Sequence, residues 1–200
     1  MHRQAYLPLS ILAINAALIS SPASAQLEEV IVTAQKRQES MQEVPVAVTA
    51  ISGDSIAQQN ITGLANMSNM LPNVQINQFS NSPDSAVFTI RGIGVNDADP
   101  YVGTTVSVVV DGVVVGVNTA ALLSLFDIER VEVLRGPQGT LFGANTTGGV
   151  INVVTRQPTG EYGGDAQVAV GNYGRIDANV AYNFPITEQL SGKLSLLHTS

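Results

Sequence analysis

Two arginines each stand between an apolar run and a glycine: Arg91 in Phe88-Thr89-Ile90-Arg91-Gly92, and Arg135 in Val133-Leu134-Arg135-Gly136. A guanidinium stays charged at any ordinary pH and binds carboxylates through two parallel hydrogen bonds. Such residues suit either a solvated surface or a buried ion pair, and the residues alone leave both open. Other chemistry is thin. There is no Cys, which removes thiol catalysis, disulfides and Cys-ligated zinc, and there are two His, His2 and His198. Neither H-E-x-x-H nor G-x-S-x-G occurs. Asp97, Asp99 and Asp111 lie in loops and turns, where carboxylates commonly form the turn itself. Asp97-Ala98-Asp99 lacks the rest of a calcium loop. Gly136-Pro137-Gln138-Gly139-Thr140-Leu141-Phe142-Gly143 has the outline of a phosphate loop, but Ala144-Asn145 stand where Lys and Ser/Thr are required. Close packing of backbone is the reading retained for these glycines. No enzyme, cofactor or metal is expected.

Composition narrows the classes further. Charged residues are 12 % and apolar residues 44 % of 200, too apolar for a disordered chain. Nine Lys and Arg against sixteen Asp and Glu give a net charge of −7. That balance opposes nucleic-acid binding, which rests on phosphate neutralisation.

The elements that must position these residues are mostly strands. Strands are predicted over Val44–Ser52, Val74–Gln78, Ala86–Arg91, Arg130–Leu134 and Val150–Thr155, with the loop Phe79–Ser85 between the second and third. Short helices are predicted over Asp54–Gln59 and Gly63–Met70, the latter with Thr62 as N-cap and ended by Pro72. Val106–Val115 holds seven valines around Asp111-Gly112, a strong hairpin signal. Together these read as an α+β domain of roughly 130 residues, ample for a core. After Glu161 the pattern changes. Ile176, Ala178, Val180, Tyr182 and Phe184 share one strand face, and Asp177, Asn179, Ala181 and Asn183 the other. Asp165–Val170 and Gly192–His198 are shorter versions. Ten-residue alternating segments joined by short turns fit an outer-membrane barrel wall, and equally a soluble meander with one wet face.

The N-terminus reads as an address. A basic start with Arg3, an apolar run from Leu7 to Ile19, and Ala23-Ser24-Ala25 form a secretory signal peptide over 1–25, cleaved before Gln26. Residues 26–43 are polar apart from Val30-Ile31-Val32 and are expected to be a flexible arm.

Four stretches in this order resemble the TonB-dependent outer-membrane receptors. Glu28-Glu29-Val30-Ile31-Val32-Thr33-Ala34 looks like a TonB box. Val44-Pro45-Val46-Ala47-Val48-Thr49-Ala50-Ile51 is similar to the plug's entry strand. Phe88-Thr89-Ile90-Arg91-Gly92 matches its I-R-G element. The run from Glu129 to Gly139, continued by Leu141-Phe142-Gly143-Ala144 and Gly148-Gly149-Val150-Ile151-Asn152-Val153-Val154-Thr155, matches its most recognisable segment.

The resemblance implies an α+β plug domain over 44–157, a small mixed sheet with short helices, followed over 158–200 by the first antiparallel strands of a transmembrane β-barrel, an incomplete wall. The chain is accordingly expected to be a partial sequence or a truncated gene product. It implies an exported outer-membrane location in a Gram-negative bacterium. It also implies import of a scarce solute such as a ferric siderophore, energised by TonB and its inner-membrane motor complex. Glu29, Val30, Ile31, Val32, Thr33 and Ala34 would bind TonB by adding a strand to its sheet edge. Some five backbone bonds at ~0.5–1.5 kcal/mol each suit a weak, switchable contact. The alternative for this segment is an ordinary edge strand of the same domain. Arg91 and Arg135 would pair with carboxylates of the barrel wall. Asn96, Asp97, Asp99 and Tyr101 are the candidate ligand-facing loop residues, together with the loops 77–85 and 117–120. The rival for the whole chain is a free-standing secreted β-rich binding module that does not transport. A signalling receptor is a third reading, but it has no room for an extra domain between Gln26 and Val44.

Overall fold

Valine-rich strands with apolar residues at both parities must be covered on both faces, and the computed structural model shows this arrangement. It describes residues 30–33, 35–79, 82–95, 102–115 and 125–199. Its centre is a five-stranded mixed sheet in the order β3(Ala47–Ser52), β8(Ile128–Arg135), β9(Gly149–Thr155), β6(Val106–Val110), β7(Val113–Val115). β3–β8, β8–β9 and β6–β7 run antiparallel, whereas β6–β9 is parallel. β3 begins three residues later than expected because Pro45 has no N–H for the ladder. The β6–β7 hairpin turns at Asp111 and Gly112, with φ of 48° and 85°. Positive φ at both positions is what an Asp-Gly turn supplies. The Asp111 carboxylate also accepts from Thr155 N (2.9 Å) and Oγ1 (2.8 Å), tying the turn to β9.

One sheet face is covered by the helix Gly53–Gln58, the 3₁₀ helix Leu64–Met70 and the hairpin β4(Val74–Phe79)–β5(Ser82–Ile90). Ile56, Leu64, Met67, Phe88 and Ile90 pack there on Val131, Val133, Ile151 and Val153. Ser52 caps the first helix by accepting from Ser55 N at 3.3 Å. The second departs from expectation: it is 3₁₀ rather than α, and its N-cap is Gly63, not Thr62, with no side-chain cap bond. The expected loop over Phe79–Ser85 is mostly ladder, since Phe79 pairs with Ser82 after a register shift at Gln78/Phe79.

The opposite face carries a second cluster of Val32, Val44, Val109, Leu134, Phe142 and Val150. Val32 comes from the segment expected to be flexible. It is fully buried, and β1(Ile31–Val32) pairs with β2(Glu39–Ser40). The segment's polar composition hid this, because its one apolar patch borrows a core from the sheet.

The glycine reading also needs correction. A Cβ at Gly136, Gly139 or Gly143 would meet nothing within 4 Å, so packing does not select glycine there. Gly136 and Gly143 instead hold φ of +96° and +83°, which a side chain disfavours. Close packing applies at Gly149, whose Cβ would sit 2.3 Å from Leu134 O.

Beyond the sheet lies an antiparallel meander of β10(Gly163–Val170), β11(Ile176–Pro185) and β12(Ser191–Thr199). Among the described residues no helix is long and apolar enough to cross a membrane, which says nothing of strands.

Candidate functional site: the arm dock, the arginine pair and the wall

Register in the meander puts Val168, Val170, Ile176, Val180, Tyr182, Leu194 and Leu196 on one face. These seven are between 43 and 81 % exposed. The other face carries Asp165, Gln167, Asp177, Asn179, Asn183, Lys193 and Ser195, and it is this polar face that turns toward the sheet domain. The exceptions are Ala169, Ala181 and Leu197 inside and the exposed His198 outside. A cavity of about 340 Å³ separates the layers, lined by Asp165, Gln167, Asp177 and Asn179 on one side and Asn60 and Arg156 on the other. A soluble meander would bury its apolar face and wet its polar one. Here the order is inverted, as in a wall with lipid outside and a polar lumen.

The arm is held by buried polar groups. β8 sends Val131 and Val133 to one core, leaving Arg130, Glu132 and Leu134 on the face under the arm. Glu132 is fully buried. Its Oε1 accepts from Arg130 Nε at 2.7 Å, and its Oε2 from Asn152 Nδ2 at 3.1 Å. Thr33 completes the group: its backbone N–H donates to Glu132 Oε1 at 2.7 Å and its hydroxyl to the same oxygen at 3.0 Å. That hydroxyl accepts from Asn152 Nδ2 (3.2 Å) and Arg130 Nη2 (3.3 Å). Arg130 also pairs with Glu129. Of the other expected TonB-binding residues, Val30 and Ile31 are exposed and Val32 is buried, while Glu29 and Ala34 lie outside the described residues.

Arg91 and Arg135 are brought together. Among the described arginines they are the two with no ion pair to a described carboxylate, whereas Arg37, Arg156 and Arg175 each have one and Arg130 has two. Arg135 donates through Nη1 to Thr49 Oγ1 (2.8 Å) and through Nη2 to Pro72 O (3.2 Å), and its buried Nε has no partner among the described residues. Burial, and then the Arg91 charge, lower its pKa from the ordinary arginine value. Both effects oppose the charged form. Arg91 itself sits at φ 53°, anchored by its N–H to Asn73 O at 2.9 Å.

Asn96, Asp97, Asp99 and Tyr101, the expected ligand-facing residues, and the loop 117–120 lie outside the described residues, as does the signal peptide. Two groups escaped the sequence reading: the Glu132 cluster, and a contact of Asp127 with Lys193 described below. The signal for the first was a polar side chain inside an otherwise apolar strand, Glu132 in β8 and Asn152 in β9.

A family profile described as TonB-dependent Receptor Plug Domain matches residues 40–150. The chain belongs to the TonB-dependent receptors. It is 34 % identical over 153 residues to the pesticin receptor of Yersinia pestis, covering 74 % of this chain and 22 % of the relative. It is 32 % identical over 158 residues to the vitamin B12 transporter BtuB of Vibrio vulnificus, covering 76 % and 24 %. Among solved structures it resembles the ferric yersiniabactin uptake receptor FyuA of Yersinia pestis, with TM-score 0.68 and 30 % identity, covering 76 % and 24 %. The chain thus spans about a quarter of the length of these relatives. Its fold is the α+β plug of this family followed by antiparallel barrel strands, as expected from the motifs.

Proposed function

We propose that the chain is the signal peptide (1–25), arm (26–43), plug (44–157) and first wall strands (158–200) of an outer-membrane importer. It would take up a scarce solute such as a ferric siderophore, drawing energy from TonB. The observation that carries this reading is the inverted meander, with its apolar face outward and polar face on the plug. A free-standing secreted module would gain nothing from an exposed face of Val168, Val170, Val180 and Leu194.

The arginine pair supports the same reading. Two adjacent guanidinium groups, one of them partly desolvated, repel each other until a carboxylate neutralises them. In the importer that carboxylate belongs to the wall, and the pair holds the plug until force arrives. The arm supplies the point of attachment. Residues 29–34 would leave the plug and add a strand to TonB, and Asn96, Asp97, Asp99 and Tyr101 would face the solute outside. The relatives' names tie one to vitamin B12 and another to ferric yersiniabactin uptake. An iron chelate is therefore one of at least two solute classes to assay.

Ile31→Pro tests the energy coupling, because proline deletes a backbone donor without changing the net charge. In the whole receptor, uptake of the radiolabelled solute should fall to the level of a strain lacking TonB, with surface binding retained. Wild-type uptake by this variant would remove the arm from the mechanism.

A further inference from the structure

Asp127 precedes β8 in left-handed backbone, φ 58°, a conformation that Asp tolerates better than most residues. Its carboxylate reaches across 66 residues to Lys193 Nζ at 2.5 Å and across 68 residues to Ser195 Oγ at 2.6 Å. Both acceptor oxygens are therefore spent on β12. The Asp127 and Lys193 side chains are 13 and 10 % exposed, so this is a largely desolvated pair rather than a surface one. Lys193 also donates to Arg156 O at 3.2 Å, and Arg156 N–H donates to Asp127 O at 3.0 Å. Arg156 also donates from Nε to Ile128 O at 3.3 Å and forms an exposed ion pair with Asp54 at 2.5 Å. One ammonium thus joins the entrance of β8, the exit of β9 and the inner face of the wall.

We propose that Asp127 is the positioning residue that fastens the plug to the wall's first strands, making the β8 entrance a fixed pivot while the rest of the plug yields. The inference rests on the import reading, since a pivot matters only where force is applied. It differs from the arginine pair in having both partners within this chain. Strain at Asp127 is what aims both oxygens at one strand, and Lys193 is the wall residue whose ammonium can span both plug segments.

The experiment uses the whole receptor with D127N, K193M, the charge swap D127K/K193D, and E188Q in the exposed β11–β12 turn as control. Insertion of the wild type, read by heat-modifiable migration, tests the import reading by itself. The fastening is read separately by amide hydrogen exchange and by sensitivity of cells to vancomycin, a solute too large to leak past a seated plug. D127N and K193M should speed exchange over 127–131 about tenfold, the loss of one bond to a charged group, and raise vancomycin sensitivity. Amides of Val74–Ile90 should keep their protection, which general destabilisation would not allow. The swap should recover part of both effects, and E188Q should show neither. Unchanged exchange over 127–131 in D127N and K193M overturns the inference, as does equal acceleration over Val74–Ile90.

Discussion

The Thr33 hydroxyl uses its full bonding capacity, donating once to Glu132 and accepting from Asn152 and Arg130. Without it, a fully buried carboxylate loses a donor and two donors lose an acceptor, each in a low-dielectric site where unmade bonds are costly. Thr33→Val keeps the shape and the backbone N–H while removing three bonds. It should weaken the dock by about 1–3 kcal/mol. Trypsin cutting at Lys36 and Arg37, the latter with a 69 % exposed side chain, should then accelerate on the order of tenfold. Equal cutting rates would mean that Val32 alone holds the arm. None of this was legible locally. Glu132 between Val131 and Val133 has the pattern of a half-wet strand, and the residue that covers it lies 99 positions away. Asp111-Gly112 was legible, because turn chemistry is settled by neighbours.

Among the elements, β9 enters its ladder with β8 at Gly149, which leaves no room for a side chain. A Cβ there would meet Leu134 O at 2.3 Å and Ile90 Cδ1 at 2.8 Å, with φ of +150°. Gly149→Ala should therefore cost about 1–3 kcal/mol through overpacking alone, with backbone strain in addition. A thermal melt of the receptor's plug, followed by exchange at the β8–β9 amides, would read it; an unchanged melt would show that the ladder can shift freely. Strand positions were legible here because β-branched runs mark them, and the alternation in β11 gave its two faces directly. The 3₁₀ segment over Leu64–Met70 was not, since seven residues place apolar side chains almost alike in either helix and what separates them is backbone bonding three residues back, as from Asn66 N–H to Gly63 O. The register shift at Gln78/Phe79 likewise depends on a turn whose pairing no single strand reveals.

At the scale of the molecule the inverted meander sets a directional expectation. Val180 faces outward and is 43 % exposed, whereas Asn179, one residue before it, faces the plug. Val180→Arg should oppose membrane insertion by about 2–4 kcal/mol if that level lies near the bilayer midplane. Asn179→Arg should insert normally. Equal insertion of the two variants would show that the outward face does not meet lipid. The pattern of alternation left a barrel wall and a soluble meander equally open; only the packing partner decided which face was inside.

The arm's hold on β8 and the sheet's differ in how they would break. Among the described residues the arm bonds to β8 at one, Thr33, and its own hairpin has only two β1–β2 pairs, so a pull from the N-terminal side meets these bonds one after the other. The sheet grips β8 along its length, through six pairs to β3 and seven to β9, so a lengthwise tug loads those rungs together. A zipper parts at low tension and a sheared ladder resists, so the arm should come free under loads that leave the sheet whole. The molecule is thereby equipped with a weak link in series with a strong one, and the weak link is nearest the hand that pulls.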